Sequence, residues 1–143
     1  MISITSDPID ICSMLTYVTN DKSIGATALF LGLVRDHSEK AKIVYGIFYE
    51  AYIEMAKQLL SEIEKESFEL WNIKKFIAIH RIGHLNVNEV SVGVAVSSEH
   101  RKESLEACTY AIENIKFRVP IWKKEISESG SSWINAVNDG LGN

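Results

Sequence analysis

The sequence predicts an α+β domain in which a mixed or antiparallel sheet carries packed helices. Three observations predict it. Val90, Val92, Val94 and Val96 alternate with small residues, the period of a strand with one apolar face. Tyr52, Met55, Ala56, Leu59, Leu60 and Ile63 recur at three and four residues, the period of an amphipathic helix. Finally, 143 residues with 46% hydrophobic and 24% charged content hold apolar material for one core. No repeat, low-complexity tract or Pro/Gly-rich linker divides them, so residues 1–143 are expected to form a single domain.

In chain order, residues 2–5 read as a short strand. Ser6 or Asp7 then caps a helix with Pro8 in its first position, running to about Val18. The β-rich segments 24–35 and 43–49, separated by the polar loop DHSEKAK, read as a hairpin. A helix follows from Glu50 toward Leu70, then strands over 75–81 and 89–97, with Gly83 and Asn88 bracketing their connection as residues tolerant of positive φ. A helix over 99–117 buries Leu105, Cys108, Ile112 and Ile115, and Pro120 forbids much extension. Residues 121–127 are extended, and ESGSS turns the chain before Trp133.

Composition excludes several function classes. Fifteen basic against 19 acidic residues give a net charge of -4, unlike a dedicated nucleic-acid binder. The longest apolar run, residues 24–34, contains Gly25, Thr27 and Gly32 and falls short of the ~20 residues that span a bilayer. Asp7 and Asp10 stand where a secretory signal needs basic residues and an apolar block, so a cytosolic protein is expected. Cys12 and Cys108 form no CxxC pair and lack zinc-type histidine spacing; both are expected to be buried core thiols. No metal and no cofactor are expected.

Three local features point to an anion pocket. In SSEHRKE, His100 and Arg101 fall in the opening turn of a helix, whose dipole disfavours cations by about 0.3–1 kcal/mol each. Either Glu99 and Glu103 offset them in solvent, or free backbone N–H groups, His100 and Arg101 converge on a phosphate or carboxylate. In IKFRVPIWKKE, Lys116, Arg118, Lys123 and Lys124 fall within nine residues. Lys116 suits a helix C-terminus, while Lys123 shares a strand face with Ile121 and Glu125, and Lys124 shares the other with Trp122. A chain turning back at Pro120 would bring Lys116 and Lys123 together, and like charges in a partly desolvated cleft favour a neutral amine able to transfer a proton. A solvated basic edge is the plainer alternative. In GLVRDH, Arg35 ends an apolar strand, where closing a hairpin with Asp36 is the simpler role; His80 and Arg81 read as structural hydrogen-bonding groups.

Taken in order, GATALFLGLVR, YEAYIEMA, HRIGHLNVNE, SSEHRKESLEAC, IKFRVPIWKKE and GSSW resemble the large, catalytic subunit of molybdopterin synthase, over residues 25–133. The resemblance implies an α/β hammerhead-type fold and a homodimer with a small ubiquitin-like sulfur-carrier subunit docked at each outer end. It also implies sulfur transfer from the carrier's C-terminal Gly-Gly thiocarboxylate to cyclic pyranopterin monophosphate, forming the molybdopterin dithiolene. By motif match it implies Lys116 and Lys123 as catalytic lysines and Arg35, His100 and Arg101 as substrate-binding residues. Lys123 would then serve the reacting centre and Lys116 the carrier's terminal carbonyl. Arg101 and His100 would hold the phosphate, with Arg35 entering from the same chain or from a dimer mate. Two departures bear on the loop near Arg35: DHSEKAK lacks the glycine common in the family, and Asn88 stands where glycine is usual. The tail INAVNDGLGN is short. The rival reading is a non-catalytic module that binds a phosphorylated ligand or an acidic protein tail through the same residues.

Overall fold

Strand β6 (Val90–Ser98) explains the architecture. Val92, Val94 and Val96 are buried, and so are Ser91, Gly93, Ala95 and Ser97 between them. A strand buried on both faces needs a layer on each side, and the computed structural model, which describes residues 1–134, supplies both.

The remaining elements are β1 (Ile2–Thr5), α1 (Ile11–Thr19), β2 (Ala26–Leu33), β3 (Val44–Ala51), α2 (Ile53–Leu70), β4 (Ile73–Arg81), β5 (Gly83–Asn86), α3 (Arg101–Arg118), β7 (Ile121–Ser127) and β8 (Gly130–Ile134). They form two sheets. The first has the order β1-β4-β6-β2, with β1 and β4 parallel and the other pairs antiparallel. The second, β5-β3-β7-β8, is antiparallel throughout.

Helices α2 and α3 cover one face of the first sheet: Ala56, Leu60, Ile63, Ala107, Ala111, Ile112 and Ile115 pack with Phe76, Ala78 and the three valines. Burying a side chain of Phe76's size contributes about 1.5–3 kcal/mol. Helix α1 covers the other face, Met14 and Val18 lying against Ile77 and Ala95. The two helices of the thicker layer are fastened by Arg118, which donates to Glu66 at 2.6 and 3.1 Å, and by the Tyr110 hydroxyl, which donates to the same carboxylate at 2.7 Å.

The α+β class and the mixed and antiparallel pairing match the sequence prediction, as do the bounds of β1 and β7. Gly83 and Asn88 have φ of 90° and 72°, as their residue types suggest. Other expectations are corrected. Segments 24–35 and 43–49 form no hairpin: β2 pairs with β6, and β3 with β5 and β7, in different sheets. Helix α1 starts three residues beyond Pro8, because Asp10 caps it by accepting from the Ser13 amide at 3.0 Å. Cys12 is exposed, since the buried positions of that helix are Met14 and Val18. Leu105 is exposed, the stripe of α3 being Ser104, Ala107, Cys108, Ala111, Ile112 and Ile115; Tyr52 and Met55 are exposed as well. Strand β5 has no counterpart in the sequence reading. Cys108 is buried as expected, which pushes its thiol up to about 11.

Candidate functional site at the two ends of β2

Lys123 lies on β7, directly across the ladder from Tyr49 of β3 on one side and from Ile134 of β8 on the other. The Tyr49 ring meets His80 edge-on, with centroids 5.3 Å apart. His80 is buried, and burial lowers its imidazole to about 4, partly opposed by its contact with the Arg81 carbonyl. It is neutral at pH 7, and Nδ1–H donates to that carbonyl at 2.8 Å. Arg81 in turn reaches Glu89 at 3.3 Å. The structural hydrogen-bonding role read for His80 and Arg81 is the one observed.

Of the four cations in residues 116–124, two are committed elsewhere. Arg118 is paired with Glu66 and Glu62. Lys124 sits 5.7 Å from the Trp133 ring centre. Lys116 is exposed on the last turn of α3, one short connection from β7. Beside Lys123, its neighbours Trp122 and Tyr49 line a cleft of about 670 Å³, together with Phe48, Tyr52 and Ile82.

Arg35 belongs to this same end. Val34 is tied to the β6 start by a bond from its amide to the Glu89 carbonyl at 3.1 Å, and the Asn88 amide donates to the Val34 carbonyl at 2.7 Å. The residue after Arg35, Asp36, takes His37 as partner at 2.6 Å rather than closing a hairpin with Arg35. Ser38 then reaches β7 by donating to Glu125 at 2.9 Å.

His100 and Arg101 are elsewhere. They open α3 at the opposite end of β2, beside Gly25, whose amide donates to the Ser98 carbonyl at 3.0 Å. A Cβ on Gly25 would lie 2.2 Å from the Glu99 carbonyl oxygen, so only glycine allows the strand and the helix start to approach this closely. A groove of about 540 Å³ runs there, lined by Gly25, Ala26, Glu99, His100, Arg101 and Lys102. His100 is exposed and contacts Glu99 at 3.6 Å. The eight residues of β2 separate this groove from Arg35 by about 25 Å. Fifteen residues of α3 likewise separate Arg101 from Lys116 by about 22 Å. Within one chain, His100 and Arg101 therefore stand at the opposite end of β2 from Arg35 and at the opposite end of α3 from Lys116.

The sequence reading missed Ser38, the burial of Glu125, and the aromatic cleft. The spacing of Phe48, Tyr49 and Tyr52 is a signal for the cleft, but strand and helix periods account for the same residues. Among the described residues no group of three or more His, Cys, Asp or Glu side chains is arranged to hold a metal ion, and no helix is long and apolar enough to cross a membrane.

Among the described residues, two sheets and three helices make an α+β protein, the class of the solved relatives it superposes on. The family described as MoaE protein matches residues 4–118. The chain is 44% identical to the human molybdopterin synthase catalytic subunit over 109 residues, 76% of this chain but 57% of that protein. It thus spans little more than half the length of that relative. The structure of molybdopterin synthase from Staphylococcus aureus superposes with a TM-score of 0.86 at 40% identity, covering 92% of this chain and 95% of that one. A complex of subunits 1 and 2 of molybdopterin-converting factor from Helicobacter pylori shares the fold, with a TM-score of 0.77 at 20% identity over 94% and 90% of the two chains. The chain belongs to the MoaE family.

Proposed function

We propose that this chain acts as one domain, in the cytosol, as the catalytic subunit of a molybdopterin synthase. It passes sulfur from the C-terminal thiocarboxylate of a small ubiquitin-like carrier to cyclic pyranopterin monophosphate. Each transfer exchanges one carrier sulfur for one oxygen, so the carrier leaves as a carboxylate, and two transfers make the dithiolene. Family membership supports the reading. The observation that carries it is the register that sets Lys123 opposite Tyr49; Tyr49 lines a largely apolar cleft, with Lys123 itself outside the lining, and those walls suit an extended, side-chain-free Gly-Gly tail.

Thiocarboxylate and phosphate are both anions, so a protein of net charge -4 must place positive potential where they meet. Lys123 serves the tetrahedral species as proton donor or electrostatic partner, and Lys116 orients the carrier's terminal carbonyl. Arg35, His100 and Arg101 hold the phosphate. Because about 25 Å of β2 lies between them, they serve one phosphate only if a second copy of the chain supplies one of the two groups. The working unit is then a homodimer with a carrier at each outer end.

The test mixes the chain with thiocarboxylated carrier and cyclic pyranopterin monophosphate and follows dithiolene formation. Turnover by the wild type, lost in Lys123→Ala and Lys116→Ala while carrier binding and fold persist, is the expected outcome. Binding without turnover would leave a ligand-binding module in its place.

A further inference from the structure

Glu125 stands out because it is a carboxylic acid only 5% exposed on the strand that carries Lys123. A buried carboxyl needs hydrogen-bond partners, since an unsatisfied one carries its full desolvation penalty. Its partner comes from far along the chain: Ser38 Oγ donates to Glu125 Oε1 at 2.9 Å. Ser38 belongs to the loop between β2 and β3, three residues after Arg35.

The same hydroxyl organises that loop. Ser38 Oγ accepts from the Lys40 amide at 3.2 Å and from the Ala41 amide at 3.1 Å, while the Ser38 amide donates to the Ala41 carbonyl at 2.9 Å. A second acid of the β7 side reinforces it, because Glu128 accepts from the Lys42 amide at 3.1 Å and its own amide donates to the Ile43 carbonyl at 3.2 Å. A ten-residue connection between two different sheets, 34–43, is thereby pinned at both its centre and its end. Lys123 and Glu125 lie on one face of β7, two residues apart. The hydroxyl of Ser38 is thus the joint through which the loop bearing Arg35 is referenced to the strand bearing Lys123.

We infer that Ser38, clasped to buried Glu125, is a positioning residue that sets Arg35 relative to Lys123. The inference rests on the sulfur-transfer reading, because that reading gives Arg35 and Lys123 their work. Catalytic geometry is sensitive at this scale: a displacement of about 1 Å costs on the order of a hundredfold in rate. Ser38 itself touches no substrate in this scheme and acts through Arg35 alone.

A purely structural Ser38 would lower stability and leave the contribution of Arg35 intact. The test therefore measures coupling. Dithiolene formation is followed for wild type, Ser38→Ala, Arg35→Ala and the double variant, with amide hydrogen exchange of the 36–43 peptide measured on the same proteins. Ser38→Ala is expected to lose on the order of tenfold in turnover, to speed exchange at Lys40 and Ala41, and to leave exchange in α2 and α3 unchanged. Arg35→Ala should then cost far less in the Ser38→Ala background than alone, since Arg35 has already been displaced. Losses that simply multiply, or loop exchange that does not change, overturn the inference while the sulfur-transfer reading stands. An inactive wild type removes that reading, and with it the purpose assigned to the clasp.

Discussion

The two ends of β2 are built differently. At the Arg35 end, side chains are held: Ser38 by Glu125, Arg81 by Glu89, His80 under Tyr49, and Lys123 within a four-stranded sheet. At the Gly25 end, His100 and Arg101 stand exposed around an open groove, and the His100 ring meets Glu99 at 3.6 Å. The difference teaches that prearranged geometry and available charge have been separated. The first end offers a fixed arrangement for the groups proposed to react; the second offers charge to something that arrives.

Lys123→Ala tests the held end most severely. It should lower dithiolene formation by on the order of a hundred- to a thousandfold, the scale set by removing one preorganised electrostatic group, with the fold retained by circular dichroism. Complementation between the ends comes next. Arg35→Ala and Arg101→Ala homodimers should each be nearly inactive. Subunit exchange between them should restore about a quarter of wild-type activity, because half the dimers are mixed and each keeps one intact site of two. No recovery would break the division of the site between two copies.

A smaller effect concerns the support beneath Lys123. The folded pKa of His80, about 4, lies below its ordinary 6.5. Between those values the unfolded chain binds a proton that the folded chain refuses. His80 thus contributes stability that is fully present above pH 6.5 and is lost as pH falls toward 4. The loss is on the order of 3 kcal/mol. Urea unfolding at pH 7 and pH 5 should show a steeper decline for the wild type than for His80→Gln.

At the open end, Gly25→Ala should cost about 1–3 kcal/mol in unfolding free energy by forcing β2 and the α3 start apart. The smallest effect is Lys124→Ala. Because Lys124 is held over the Trp133 ring, turnover should stay at the wild-type level, with stability falling by about 0.5–1 kcal/mol. A Lys124 variant as inactive as the Lys123 one would remove the contrast between these neighbours.

Much of the fold was legible because most elements announce themselves locally. The period-2 valines of β6, the three-and-four spacing of α2, and Pro120 closing α3 are all short-range signals. What failed was long-range. Strands adjacent in sequence usually pair, and that rule made a hairpin of two segments that enter separate sheets. Nothing within residues 24–49 says that β6 and β7 offer better partners. The burial expected of Cys12 fails for a related reason: the nine residues of α1 bury only Met14 and Val18, too few to fix one face from apolar spacing. Residue type and neighbours draw attention to Lys116, Lys123, Arg35, His100 and Arg101, and the family resemblance is what implies roles for them. Their division over about 25 Å depends on topology, and the Ser38–Glu125 contact joins residues 87 positions apart. The expectation about the tail falls largely on residues outside those described.

Strand β2 acts as a gauge bar between the two ends. Removing two residues from its middle would preserve which side chains point inward, yet draw the ends about 7 Å closer; removing one would turn its apolar set outward. The length of this strand is thus a constraint in its own right, and an insertion or deletion there should disturb the spacing of the two ends even when every one of their cations survives.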